Sequence, residues 1–281
     1  MRFNMTTFED ELRSTSHPLV DGHTHVDQWD PPELEALLER AGRANIGLII
    51  AAGTTVSSCE NALLLAAKHS FIKAGIGLHP ADLQGPLDDA TAAHLRDLAR
   101  HPEVVEWSEC GLDYMPNSPT KAVQQDALRI QIRIARELGL PLVTHSREAD
   151  EDILHIFEEE HAGDVGGAWH YFGGSMDLAK RAMSLGFLIS LAKPLLREEP
   201  LQQVAAQLSL DHVVIETDSY PQPFKKNPLR RTEPWHLPQV ADKLAELQGV
   251  DIEVIAEATT RNYLRMLKGK VDPTALPLPI N

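Results

Sequence analysis

Eight times along the chain a strand-length apolar run is followed by a segment of helical periodicity, and this alternation leaves very few folds open. The runs fall at 18–25, 45–52, 72–79, 104–109, 141–145, 165–170, 186–191 and 212–217. The helical segments fall at 31–41, 57–68, 87–100, 121–138, 149–160, 176–185, 198–208 and 237–247. Strands separated by helices pair in parallel, and eight such units in 281 residues predict a closed (β/α)8 TIM barrel, an α/β fold in one domain. A doubly wound open sheet is the alternative, but no glycine-rich dinucleotide fingerprint follows the first run. Pro31-Pro32 suits a helix start, and Gly42, Gly139 and Gly186 stand where helices should stop. Residues 1–17 are polar and aperiodic and read as an N-terminal arm; the barrel occupies 18–268, with a last helix at 252–267. Residues 269–281, with three prolines, read as a C-terminal tail lying on the surface.

Composition adds limits rather than a choice of fold. Apolar runs such as Ile46–Ala52 are far too short to span a bilayer, and the first dozen residues hold no apolar signal core, so a cytoplasmic protein without membrane contact is expected. Two cysteines, Cys59 and Cys110, cannot form a disulfide framework. The net charge of −15 argues against a protein that coats duplex DNA, because non-specific affinity comes from neutralising phosphates; it leaves room for an enzyme acting on chain ends. Nothing in the pattern calls for an obligate protein partner.

In such a barrel the reactive residues stand at the C-terminal ends of the strands. Those positions hold His23 and His25 on the first run, His79 on the third, Glu109 on the fourth, His145 on the fifth, His170 on the sixth and Asp218 on the eighth. In a strand, His23 and His25 point the same way and form a chelating pair. The four histidines 23, 25, 145 and 170 with Glu109 and Asp218 exceed what one catalytic zinc takes, and they fit two ions about 3.5–4 Å apart sharing a carboxylate. Glu109, mid-rim, is the natural bridge. Mixed imidazole and carboxylate donors suit Zn²⁺, Mn²⁺ or Mg²⁺.

The blocks Asp21-Gly22-His23-Thr24-His25, Gly75-Ile76-Gly77-Leu78-His79-Pro80, Ser108-Glu109-Cys110-Gly111-Leu112-Asp113-Tyr114, Thr144-His145-Ser146-Arg147, Trp169-His170-Tyr171-Phe172 and Glu216-Thr217-Asp218 resemble, in order and spacing, the signatures of the TatD family of metal-dependent deoxyribonucleases. Gln131 and Asn262 also fall where that family tends to carry such residues. The resemblance implies an amidohydrolase-like barrel with two divalent ions, cutting DNA ends as a 3′ to 5′ exonuclease, often on single strands. It implies His23, His25 and Asp218 on one ion, His145 and His170 on the other, Glu109 between them, and His79 and Arg147 near the scissile phosphate. Asp218 is expected to orient the attacking water and accept its proton.

Three stretches depart from the pattern: Cys110 stands where an aliphatic residue is usual, Tyr171-Phe172-Gly173-Gly174 replaces a commoner Cys-Phe-Ser-Gly, and Ser219-Tyr220 follows Asp218 in place of Ala-Pro. The last two lie in substrate-facing loops and bear on substrate preference. Lys193, Lys225, Lys226, Arg230 and Arg231 could steer a nucleic-acid backbone, and Tyr171, Phe172 and Tyr114 could stack on bases or pack the barrel mouth, packing being expected for Phe172. Asp113 is expected to support the site or its loop; Cys110, turned away from Glu109 by strand alternation, should pack as a small apolar residue. His69, His94, His101, His155, His161, His212 and His236 are expected at the surface. Two other functions compete: a two-metal hydrolase of amides or esters, including a D-aminoacyl-tRNA deacylase, and a barrel without catalysis. Many amidohydrolases bridge their metals with a carbamylated lysine at the fourth strand end, where Glu109 stands here, which favours the nuclease reading.

Overall fold

The computed structural model describes residues 8–225 and 230–276. Eight parallel strands lie side by side in sequence order: β1 (Leu19–Thr24), β2 (Ile46–Ala52), β3 (Ile72–Gly75), β4 (Val104–Asp113), β5 (Leu142–Arg147), β6 (Gly167–Trp169), β7 (Phe187–Leu191) and β8 (Val213–Ile215). The barrel closes where β8 returns beside β1. There the His25 amide donates to the Ser219 carbonyl at 2.6 Å and the Asp218 amide to the His23 carbonyl at 3.0 Å. Helix α1 (Phe8–Glu11) precedes the barrel; α2 (Pro31–Arg43), α3 (Val56–Lys68), α4 (Asp89–Leu98), α5 (Lys121–Leu138), α6 (Asp150–Glu159), α7 (Met176–Ser184), α8 (Glu199–Ala205) and α9 (Leu237–Gln248) follow the strands in turn. Among the described residues no helix is long and apolar enough to cross a membrane.

Strand alternation divides the apolar residues into two cores. Val20, Leu48, Ile50, Val105, Val143, Ala168, Leu188 and Val214 form the inner cluster. Their neighbours Leu19, Ile49, Val104, Leu142, Ile189 and Val213 belong to the outer one with the helices. A last helix, α10 (Ile252–Met266), packs against β1 and β8 and contributes Tyr263 and Met266 to the inner cluster. Asn262 donates to the Leu210 and Val213 carbonyls at 2.6 and 2.8 Å, tying α10 to the entry of β8.

The element boundaries differ from the sequence expectation in informative places. β4 runs four residues past Glu109, because Cys110, Gly111, Leu112 and Asp113 keep pairing with Thr144, His145, Ser146 and Arg147. Gly111 makes that approach possible: its φ is +149°, and a Cβ there would stand 1.9 Å from the His145 carbonyl oxygen. β3 ends at Gly75, so His79 projects from the following segment, held by its amide on the Thr54 carbonyl at 2.9 Å. Gly42 lies inside the last turn of α2, whereas Gly139, at φ +65°, does stop α5. His236 was expected outside but is buried, its ring 3.8 Å from that of Trp235, and His69 is half-buried against Phe71. Residues 269–276 are described only to their short turn at Pro273–Ala275.

Inside the barrel the Tyr263 hydroxyl lies 2.6 Å from both the Gly22 carbonyl oxygen and Glu106 Oε2. One hydroxyl proton cannot satisfy two acceptors, so one partner must itself donate. Burial pushes the Glu106 carboxyl up to about 8, so at neutral pH it is protonated and donates to Tyr263, which donates to Gly22. Tyr263→Phe is expected to lower stability by about 1–3 kcal/mol, since it strands a buried carbonyl and a buried carboxyl; chemical denaturation measures it. Gly111→Ala, by contrast, should separate β4 from β5 and cost more than about 3 kcal/mol, read as loss of soluble protein or a large fall in thermal midpoint.

Candidate metal centre

The residues picked out along the sequence converge on one cleft at the C-terminal end of the barrel, about 570 Å³ in volume. His25, His79, Glu109, His145, Arg147, His170, Tyr171 and Asp218 all line it, together with Asp113 and Tyr220. His23 lies fully buried just beneath. At the centre is Glu109, 2% exposed, whose two oxygens face different imidazoles. Oε2 stands 3.3 Å from His23 Nε2 and 3.6 Å from His25 Nε2. Oε1 stands 3.0 Å from His145 Nδ1, 3.6 Å from His79 Nε2 and 3.7 Å from His170 Nε2. Asp218 closes the first side, with Oδ1 3.4 Å from His25 Nε2.

Three sets of side chains offer donor atoms mutually within 4.8 Å: His23, His25 and Asp218; His23, Glu109 and His170; and His79, Asp113 and His145. The sets are less separate than the family resemblance implies, because the His170 ring lies 3.8 Å from that of His23. Imidazole nitrogen with carboxylate oxygen is a donor set for divalent ions such as Zn²⁺ or Mn²⁺, so the residues fit such a group.

Each candidate imidazole is also held from behind, which fixes the nitrogen it turns inward. His25 Nδ1 donates to the Ala52 carbonyl at 3.1 Å, and His23 Nδ1 is 3.4 Å from Ser108 Oγ. His145 Nε2 meets Asp113 Oδ2 at 3.0 Å, and His170 Nδ1 meets Glu216 Oε1 at 2.7 Å. Asp113 is itself anchored, accepting from the Met115 amide and the Ser118 hydroxyl. Glu216 accepts from Ser190 Oγ at 2.5 Å and the Tyr171 amide at 2.7 Å.

The protonation pattern follows from this arrangement. Burial alone would lower the histidines, yet the Asp218 hydrogen bond and the Glu109 charge push His25 up to about 9. Glu216 and Glu109 likewise overcome burial and push His170 up to about 10. His23, fully buried and next to His170, moves down. Glu109, against its own burial, is held well below the usual carboxylate range by His79, His23 and His170. Protons on the imidazoles thus balance a carboxylate that would otherwise be an unpaired buried charge. A divalent cation is the other way to balance it.

Of the remaining residues expected at the site, Arg147 stands 3.8 Å from Asp113 Oδ2 with most of its side chain in solvent. Lys225 does not line the cleft and carries the carbonyl that Arg231 Nε reaches at 2.6 Å. Lys226 lies outside the described residues. Arg231 pairs with Glu33 at 3.0 Å and covers the Trp29 ring, so it is engaged in packing rather than free for a phosphate. Tyr114 offers no open face: Lys121 Nζ sits 3.9 Å from its ring centroid, and its hydroxyl donates to Asp152. Phe172 is buried in the outer core, as is Cys110. Gln131 clamps the segment leading to His79, accepting from the Leu78 amide at 2.8 Å and donating to the Leu78 carbonyl at 3.2 Å. Sequence reasoning gave no role to Glu216, Asp21 or Tyr220. Glu216 sat in view two residues before Asp218; Asp21, which accepts from the Thr217 amide at 2.8 Å, precedes His23 by the same spacing.

The geometry has counterparts. The family model described as TatD related DNase matches residues 20–268. The uncharacterized metal-dependent hydrolase YabD of Bacillus subtilis (strain 168) is 34% identical over 257 residues, covering 89% of this chain and 99% of that protein. The human deoxyribonuclease TATDN3 is 29% identical over 270 residues, covering 91% and 96%. The crystal structure of the TatD homologue YJJV from Escherichia coli K12 superposes with a TM-score of 0.80 at 29% identity, covering 89% and 97%. A TatD family hydrolase from Entamoeba histolytica superposes at 0.79 with 18% identity, which speaks to the fold alone. With a family model spanning nearly the whole barrel and a relative matched over its full length, the chain belongs to the TatD-related DNase family of metal-dependent hydrolases.

Proposed function

We propose that the protein hydrolyses phosphodiester bonds at DNA ends, proceeding 3′ to 5′ and preferring single strands, in the cytoplasm. The observation that carries this is the placement of Glu109, one oxygen toward His23 and His25 and the other toward His145 and His170, at the floor of an open polar cleft. Such a carboxylate suits two divalent ions, Mg²⁺, Mn²⁺ or Zn²⁺, with His23, His25 and Asp218 holding one and His145 and His170 the other. When bound, such ions activate water and stabilise charge on a phosphoryl group in flight.

The chain's own groups do the rest. Asp218, kept ionised by His25 against its burial, is the base that takes the proton of the attacking water. Its backbone has φ +52°, a left-handed conformation costly for a non-glycine residue, and the His23 carbonyl fixes it there. Arg147 reaches into the cleft with a free face and binds a phosphate oxygen, while His79 donates to another. The human relative's name supports DNA as the substrate. The two cysteines, buried and unpaired, suit a reducing compartment.

Digestion of end-labelled single- and double-stranded DNA and of RNA with added Mg²⁺, Mn²⁺ or Zn²⁺ tests the reading. Shortening of single-stranded DNA from its 3′ end is expected, slowed by about 10³-fold or more in Glu109→Ala. Asp218→Asn should lose about 10²–10⁴-fold while still binding metal. Cleavage of amides or esters but no nucleic acid would overturn the proposal. A separate measurement addresses the metal: Asp113→Asn and Glu216→Gln, which leave every imidazole in place, should each weaken divalent binding by about 10–100-fold in titration calorimetry. The same variants should show a smaller rise in thermal midpoint on adding metal to chelator-treated protein.

A further inference from the structure

Apart from the small Ala81, the cleft is built from charged and polar side chains and two tyrosines. Tyr171 and Tyr220 both line it, 39% and 40% exposed, so each leaves a large part of an aromatic ring in solvent. Phe224, 73% exposed, follows four residues after Tyr220. Large apolar side chains left open in a functional cleft mark a surface that something covers.

These two tyrosines are not loosely hung. Tyr171 directly follows His170, and its amide donates to Glu216, the carboxylate that also holds His170. Its φ of +48° is a left-handed conformation that a bulky residue adopts only when its surroundings impose it. Tyr220 follows Asp218 by two residues, and the intervening Ser219 is locked: its carbonyl accepts from the His25 amide at 2.6 Å, and its hydroxyl donates to the Thr232 carbonyl at 3.1 Å. The backbone that carries both rings is therefore held beside the residues that would handle the scissile phosphate. In the segments that follow β7 and β8, Lys193 and Lys225 lie near enough for their charges to repel.

We propose that Tyr171 and Tyr220 form a stacking wall for the unpaired nucleobase next to the scissile phosphate, and that this wall selects single-stranded ends. The proposal rests on the phosphodiesterase reading. A base stacks on an aromatic face whatever its identity, so the wall accepts any sequence, but in a duplex an internal base keeps both faces covered and the terminal base, held by its pair, shows its outer face alone. A duplex end must fray before it can bind, whereas a single strand supplies the open face directly. The strand then leaves toward Lys193 and Lys225.

The test deletes the ring and the base together. Binding of a fluorescent single-stranded oligonucleotide is measured by anisotropy, in chelator, against the same oligonucleotide with abasic sugars at its 3′ end. Wild type is expected to prefer the intact oligonucleotide by about tenfold. Tyr220→Ala and Tyr171→Asn should bring that ratio close to one, asparagine being tolerated in the left-handed conformation at 171, while Tyr171→Phe and Tyr220→Phe retain it. Circular dichroism melting confirms that the variants are folded. A ratio unchanged in the Ala and Asn variants, or equal losses on both oligonucleotides, overturns the wall. Intact stacking preference in a wild type that cuts no DNA would overturn the phosphodiesterase reading and leave the wall standing as a nucleic-acid binding feature.

Discussion

A carboxylate at the floor of the cleft at the C-terminal end of the barrel, ringed by five imidazoles, is the constraint around which the rest of this molecule is arranged. Glu109 is almost wholly removed from water, and an ionised carboxyl there is costly unless opposite charge is brought to it. Four separate strand ends, those of β1, β3, β5 and β6, deliver the imidazoles, of which His25, His145 and His170 are pushed toward the charged form, and this is possible only if the strands hold their register. The non-local closure of β8 on β1 is therefore part of the electrostatics: the His25 and Asp218 amides that zip the barrel shut also orient the two side chains that face each other at 3.4 Å.

A second layer of acids makes the first layer possible. Asp113 and Glu216 each stand behind a histidine; Asp113 accepts from Met115 and Ser118 in the loop that follows it, and Glu216 accepts from Ser190 on β7 and the Tyr171 amide after β6. Deeper still, Glu106 is neutral, held by Tyr263 of α10. Glu109, against its own burial, is held low by His79, His23 and His170, whereas burial, only partly offset by the Tyr263 hydrogen bond, raises Glu106. The same residue type serves two purposes through its surroundings alone.

The barrel was legible in the sequence because its signal is redundant. Eight apolar runs separated by eight amphipathic segments leave one economical closure, and the chemistry-bearing residues fell at the ends of those runs. What escaped was what no period encodes. The extension of β4 beyond Glu109 depends on a glycine at φ +149° that admits the His145 backbone, a three-dimensional fit invisible in a string of letters. Glu216 and Asp21 have no role in the sequence reading because their hydrogen bonds run to partners 45 and 196 residues away. Tyr114 and Arg231 could read as substrate contacts by residue type, but Lys121 at the start of α5 and Glu33 in the first turn of α2 engage them instead.

Net charge of −15 looks at odds with a polyanionic substrate until the location of the charge is considered. Part of the acid is cancelled in ion pairs on the outer helices. Glu159 and Glu160 meet Arg129 and Arg133, Asp164 meets Arg136, Glu151 meets Arg181 and Glu137 meets Arg96, all across neighbouring elements. At physiological salt exposed charges are screened beyond about 8 Å, so that ring contributes little field at the mouth of the barrel. What an approaching phosphate meets is local: Arg147, the lysines beyond β7 and β8, and a site whose carboxylates are balanced by imidazolium protons or by divalent ions. The acidic total discourages anion binding over the outside of the molecule, while groups that offset it, Arg147 and the imidazoles, gather at the cleft.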